Sequence, residues 1–278
     1  MIKLGKYQTL EISRIADFGV YLREPETETP EILLPTRYVP ENPQPGDKVE
    51  VFVYKDSEDR PVATTEHPYA TVGEFAYLEV KAVNKVGAFL DWGLMKDLLV
   101  PFREQRVRMR PGNIYLVYIF VDDASGRIVA SAKVDKFLGN VLPEYKQGQK
   151  VQALITEHTD LGYKAIVDNL HKGMLYSNEL YKPVEVEECV TAYVKRVRED
   201  GKIDLTLSDK AGKRIGGTAE DILRYLEEKD RVPVGDKSNP ELISRLFGCS
   251  KRDFKQAVGH LYRDHKITIN ADGMIEKA

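Results

Sequence analysis

The groups that could carry out a reaction are spaced for none that can be recognised. Five histidines, His67, His158, His171, His260 and His265, are scattered along the chain. The last two are five positions apart, whereas a spacing of four would set both on one helical face to hold a metal. Asp122 and Asp123 could be imagined as a metal-bound pair in a nuclease, but in Asp122-Asp123-Ala124-Ser125-Gly126 they read as turn residues. Cys189 and Cys249 stand 60 positions apart without any Cys-x-x-Cys, which excludes a disulfide scaffold and a zinc ribbon. Gly-x-Ser-x-Gly, Walker, Gly-x-Gly-x-x-Gly and His-Glu-x-x-His motifs are all missing from the sequence. No cofactor or metal is implied and no catalysis is expected. Binding chemistry is what remains: aromatic rings that can stack and cations that can meet phosphates.

The 278 residues suggest about two domains, or more if each is small. With 42% hydrophobic and 31% charged residues, the composition is that of a globular protein. The longest unbroken apolar run, Ile114 to Val121, is far short of the roughly 20 residues that span a bilayer, and the first residues form no apolar leader. A cytoplasmic protein without a membrane partner is the expectation. The net charge of -3 is unevenly spread: residues 1–70 carry 8 basic and 13 acidic side chains, and residues 71–141 carry 10 and 8. Residues 142–215 balance at 12 and 12, and 216–278 at 11 and 11. No segment is basic enough to hold nucleic acid by phosphate charge alone. Arg103, Arg106, Arg108 and Arg110 form one local patch, which by itself reads as a solvated loop.

The elements that must position these groups follow from an internal repeat. Three stretches share a β-rich run broken by a glycine, Gly19, Gly87 or Gly162, then a short apolar run, then a hairpin. From that glycine to the basic residue opening the last strand (Arg60, Arg127, Lys202) is 41, 40 and 40 positions. A period of about 70 residues is too long for a solenoid unit and fits a small barrel. Five short strands with a glycine that lets the long first strands bend describe an OB-fold. Within Gly19-Val20-Tyr21-Leu22, alternation sets Val20 and Leu22 on the core face and Tyr21 on the other, where OB-folds stack bases.

Asp17-Phe18-Gly19-Val20-Tyr21-Leu22 and Val86-Gly87-Ala88-Phe89-Leu90 resemble the Asp/Glu-Phe-Gly-Ala/Val-Phe-Val element of the ribosomal S1-type RNA-binding domain. In that family two aromatics of this element and a histidine of the middle run stack bases, completed by an Asp and an Arg four apart at the final hairpin. The resemblance implies RNA contacts from Phe18, Tyr21, Asp56 and Arg60 in the first copy, with Leu34 in the histidine position. In the second copy it implies Phe89, Asp123 and Arg127, with Val86 and Val100 at the other two places. The third copy has Leu161 and Lys164 instead of both aromatics, Tyr176 at the histidine position, and Arg198 and Lys202 at the hairpin. It reads as a basic phosphate track of Lys164, Lys195, Arg196, Arg198 and Lys202. Trp92, the only tryptophan, is either a core residue or an added stacking platform.

Beyond Gly212 and Gly216-Gly217 the period becomes helical. Thr218-Ala219-Glu220-Asp221 predicts a helix start with Ile222, Leu223 and Leu226 inward. Asn239-Pro240 opens a second helix with a stripe of Leu242, Ile243 and Leu246, stopped by Gly248. Ser250 caps a third whose inner face is Phe254, Ala257, Val258 and Leu261, followed by a hairpin over 267–275. Three helices and a hairpin make a winged helix, with Lys251, Arg252 and Lys255 on the recognition helix. The expected architecture is mainly β with a C-terminal α+β domain: OB-fold barrels at 1–68, 70–138 and 146–211 and a winged helix at 217–278. This order, with the loop Pro233-Val234-Gly235-Asp236-Lys237-Ser238-Asn239-Pro240, resembles the bacterial conserved virulence factor B family across the full chain. That resemblance implies a non-catalytic, RNA-binding regulatory protein. Two alternatives stand beside it: a DNA-binding transcriptional regulator using the winged helix, and a protein-interaction scaffold on the translation or transcription machinery.

Overall fold

The structure, a computed structural model, describes residues 2–26, 30–177, 180, 183–207, 210–229, 231–235, 238–270 and 273–277, with backbone alone over 210–217. The chain divides into two compact units, Met1–Phe137 and Leu138–Ala278.

Three closed barrels of identical topology account for the repeat. In the first, β1 (Tyr7–Ala16), β2 (Gly19–Arg23), β3 (Ile32–Pro35), β4 (Lys48–Lys55) and β5 (Pro61–Thr64) close in the order β1-β2-β3-β5-β4. The second uses β6 (Phe75–Val83), β7 (Gly87–Leu90), β8 (Leu98–Pro101), β9 (Ile114–Asp122) and β10 (Arg127–Ser131). The third uses β11 (Lys150–Thr159), β12 (Gly162–Val167), β13 (His171–Tyr176), β14 (Cys189–Val197) and β15 (Ile203–Thr206). In each, the third and fifth strands pair in parallel, the crossover of an OB-fold.

The repeat glycines have one physical cause. A Cβ on Gly19, Gly87 or Gly162 would collide with the carbonyl oxygen of Leu34, Val100 or Leu175 on the neighbouring strand, so the chains approach too closely there for any side chain. Six residues before each glycine the first strand carries a bulge, at Ser13, Lys81 and Thr156, where the pairing register shifts. Bulges bend and coil a strand, which lets five short strands close on themselves. The Ser13 and Thr156 hydroxyls donate across the bulge to the carbonyls of Tyr21 and Lys164.

The barrel interiors alternate as the sequence pattern requires. Leu10, Ile12, Val20, Leu22, Leu34, Val51 and Val53 fill the first, and Ala153, Ile155, Val167, Leu175, Val194 and Leu205 the third. The second barrel's core does not stop at its own wall. It continues through Trp92 and Leu94 onto Phe52, Tyr54 and Val62, which face outward from the first barrel. Trp92 is therefore a packing residue: it is 3% exposed, its ring meets Phe52 edge-on at 5.8 Å, and its Nε1–H donates to the Lys96 carbonyl. The first two barrels are thus one packed body, not modules on a tether.

The C-terminal part is a winged helix: α1 (Lys210–Lys229), α2 (Pro240–Phe247), α3 (Lys251–Arg263) and a sheet in the order β16-β18-β17. The strands are β16 (Arg231–Val232), β17 (Ile267–Ile269) and β18 (Ile275–Lys277). The caps fall as expected: Asn239 accepts from the Glu241 N–H, Ser250 accepts from the Asp253 N–H, and Gly248 ends α2 with φ 60°. Two expectations change. The first helix starts eight residues before Thr218 and runs through all three glycines; each disfavours a helix by about 1 kcal/mol but forbids none. Thr218 is a buried interior position and not a cap. Along α2 the inward positions are Ile243 and Phe247, while Leu242 is exposed. Asp236 and Lys237 of the long loop, and the tip of the last hairpin, lie outside the described residues.

Candidate nucleic-acid interface

Pairing register sets one outward row across every barrel. In the first it reads Arg14–Tyr21–Leu33–Val62–Tyr54. In the second it reads Ala82–Phe89–Leu99–Val129–Phe120. In the third it reads Glu157–Lys164–Met174–Asp204–Arg196. Two rows are apolar strips with an aromatic on the second and fourth strands. The third replaces both aromatics by cations and places a carboxylate between them.

In the first barrel Phe18 is 57% exposed and lies edge-on to Tyr21 at 6.2 Å. The Arg14 guanidinium sits 3.6 Å above the Tyr21 ring and covers one face of it. Arg60 is held by Asp56, which accepts from its Nε at 2.9 Å and its Nη2 at 2.7 Å, and by Glu58. The expected Asp–Arg hairpin pair forms here.

In the second barrel that pair does not form. Arg127 is drawn to Asp59 on the hairpin of the first barrel, and Asp122, not Asp123, shapes the turn by accepting from Ser125 and from Arg103. Phe89 faces away from its own barrel interior, as expected, but lies half-buried in a cleft walled by Tyr54 and Lys55 of the first barrel. The arginine patch is dispersed: Arg103 pairs with Asp122, Arg106 with Asp135, and Arg108 stacks over Phe102 at 4.0 Å. Arg110 remains exposed.

The third barrel's basic track is largely neutralised within itself. Lys164 pairs with Glu157 at 2.8 Å and Lys202 with Asp200 at 2.8 Å; Lys195 is exposed. Asp204, 2% exposed, accepts from the Nε of both Arg196 and Arg198 at 2.6 Å. Arg198 also donates to the Tyr176 hydroxyl. Burial pushes the Asp204 carboxyl up, but the hydrogen bonds from Arg198 and Arg196 outweigh it and hold it below the ordinary carboxylate range. The structure thus brings Lys164, Tyr176, Arg196 and Arg198 together around a carboxylate that the residue pattern had not marked. Its signal is Asp204 standing where the other two rows have Val62 and Val129.

On α3, Arg252 and Lys255 are exposed, whereas Lys251 is half-buried and donates to the Ser238 carbonyl at 2.8 Å, tying the long loop to the helix. Among the described residues no group of three or more His, Cys, Asp or Glu could hold a metal, and no helix is long and apolar enough to cross a membrane.

Three closed barrels with outward rows of this kind, followed by three helices and a small wing, define a tandem OB-fold protein ending in a winged helix. An S1 domain model matches residues 4–66, and a CvfB-like winged helix domain model matches residues 220–275. The chain is a homologue of the conserved virulence factor B proteins over most of its length. The one from Staphylococcus saprophyticus is 26% identical over 236 residues, 82% of this chain and 79% of that one. An uncharacterized protein of Bacillus subtilis, YitL, is 28% identical over 273 residues, 95% and 90% of the two chains. A crystal structure of a multidomain protein with nucleic acid binding domains from Streptococcus pneumoniae is 23% identical and covers 99% of this chain and 98% of that one, with a TM-score of 0.40.

Proposed function

We propose that this chain is a non-catalytic protein that binds single-stranded RNA in the cytoplasm and regulates gene expression after transcription. The observation that carries this reading is the outward aromatic on the second strand of two barrels: Tyr21, beside the exposed Phe18, and Phe89 beside Leu99, on the face where OB-folds take unpaired bases. The S1 match over the first barrel supports the same reading. Phe18, Tyr21 and Phe89 are the stacking residues in this proposal, with Arg60 and Arg127 beside them. Lys164, Tyr176, Lys195, Arg196, Arg198 and Lys202 contribute a polar surface on the third barrel, and Arg252 and Lys255 add charge from the winged helix. Lys251 serves the loop. Competition of single-stranded RNA, single-stranded DNA and duplex DNA for the full chain at one salt concentration tests the reading. RNA should rank first: exposed bases can stack where duplex bases cannot, and the 2′-hydroxyl is what separates RNA from single-stranded DNA.

A second reading has its own observation. The exposed side of α3, with Arg252 and Lys255 at helical spacing, occupies the recognition position of a DNA-binding winged helix. Duplex DNA winning the competition by tenfold or more selects a transcriptional regulator instead.

A further inference from the structure

The rows of the first two barrels run into one cleft. Tyr54, which ends the first row, and Phe89, Leu99 and Val129 of the second line the same cavity of about 170 Å³, with Trp92 in its wall. Three cations, Lys55, Lys96 and Arg127, border it together with one carboxylate, Asp97, which is paired with Lys81 at 3.4 Å. Lys96 spends two of its N–H groups on the carbonyls of Lys55 and Asp56, at 3.0 and 2.6 Å, which fixes its ammonium at the edge of the cleft and leaves a third donor. Arg127 is anchored through one nitrogen to Asp59, and a guanidinium has five donors in all.

Size and chemistry select the occupant. A cavity of about 150 Å³ takes one benzene ring, so this cleft has room for one flat ring system and not for a stack of two. Its floor is apolar and flat because it is a row of sheet, and its border carries three cations against one carboxylate that Lys81 already partners. A flat, mostly apolar ring carrying an anion satisfies both.

We propose that this cleft is a site for a single nucleotide, its base lying on Phe89, Leu99 and Val129 opposite Tyr54, its phosphate met by Lys55 and Arg127. The site belongs to neither barrel alone: the second supplies the floor and the first supplies a wall and a cation. It rests on the nucleic-acid reading of the barrel faces, and it makes the second face a closed stop for one residue of a strand instead of an open track. A free nucleotide offers the same chemistry.

Trp92, the sole tryptophan, is a built-in reporter at the cleft wall. The test titrates the full chain with uridine 5′-monophosphate and, separately, with a short oligouridine, following Trp92 emission and the anisotropy of a labelled oligomer. A saturable change of Trp92 emission is expected with at least one ligand. Phe89→Ala should weaken that ligand roughly 5- to 150-fold, the range for one lost base–aromatic stack. Phe89→Tyr, which keeps the ring, should retain binding and control for folding. A response to the oligomer alone makes the cleft a stop on RNA; a response to the monophosphate alone makes it a free-nucleotide site while the RNA reading fails. Oligomer binding by anisotropy with Trp92 silent and Phe89→Ala without effect overturns the cleft proposal and leaves RNA binding standing. Neither ligand binding overturns both.

Discussion

The Asp204 carboxylate and the Arg198 guanidinium are locked together on the outward face of the third barrel, Oδ1 2.6 Å from Nε, with the acid almost wholly covered. At the equivalent place the other barrels have valine, so the acid is a substitution in a packed row, viable only because two arginines answer it. Asp204→Asn should destabilise the third barrel by about 1.5–3 kcal/mol, the worth of hydrogen bonds to a charged group. Because the folded carboxyl titrates below its unfolded value, this stability is complete above the ordinary carboxylate pKa of about 3.9 and is lost as pH falls through the lowered folded value. Acid unfolding of the parent and the Asn variant, followed by hydrogen exchange over residues 150–206, should converge at low pH and diverge toward neutrality. Parallel curves throughout would contradict it.

Gly162→Ala should destabilise the same barrel by about 1–3 kcal/mol or more. The residue sits at φ 140°, and an added methyl would meet the Leu175 carbonyl. A control at Gly46, also at positive φ but with open space around it, should cost less; the difference in urea midpoint isolates the steric part.

Phe52→Ala removes a ring that is fully buried between the first two barrels and should cost about 3–5 kcal/mol. Trp92 packs on that ring, so its emission should shift to the red in the folded variant. An unshifted spectrum would mean that the two rings do not meet in solution.

The salt dependence of RNA affinity should be shallow. Each phosphate contact to a single strand contributes a slope of about 0.7, and four of the five cations of the third barrel's basic track, Lys164, Arg196, Arg198 and Lys202, have carboxylate partners. Substituting Arg252 and Lys255 together by Ala should lower the slope by no more than about 1.4. Phe18→Ala should instead lower affinity several-fold at constant slope, because that ring carries no charge.

The three barrels were legible because their restraints are local and tripled: a glycine at each close approach, a hairpin at constant distance, and alternation that sorts Val20 and Leu22 from Tyr21. The winged helix was legible through caps at Asn239, Ser250 and Gly248. Its first helix was not: propensity reads Gly212, Gly216 and Gly217 as a break, and the helix runs through them from Lys210. Site residues fared unevenly. Tyr21 faces outward by alternation and Phe89 is marked by the resemblance to the S1-type element, whereas the partners of Arg127, Lys164 and Arg198 lie on other strands or on another barrel. Asp59 is 68 positions from Arg127. Glu157 and Asp204 are only seven and six positions from Lys164 and Arg198, but which side chains meet across a hairpin depends on the bulge and register, which a single sequence does not display. One clue was present: β4 reads Val51-Phe52-Val53-Tyr54, apolar on both faces, as a strand buried on both sides must be.

That two-sided strand changes what the first copy of the repeat is. Cutting this chain between residues 68 and 70 would uncover Phe52, Tyr54 and Val62 on one piece and Trp92 and Leu94 on the other. Each fragment would carry a sticky apolar wall into water, prone to self-association. The first two copies therefore form one folding unit: deleting or unfolding either one strips the cover from the apolar wall of the other.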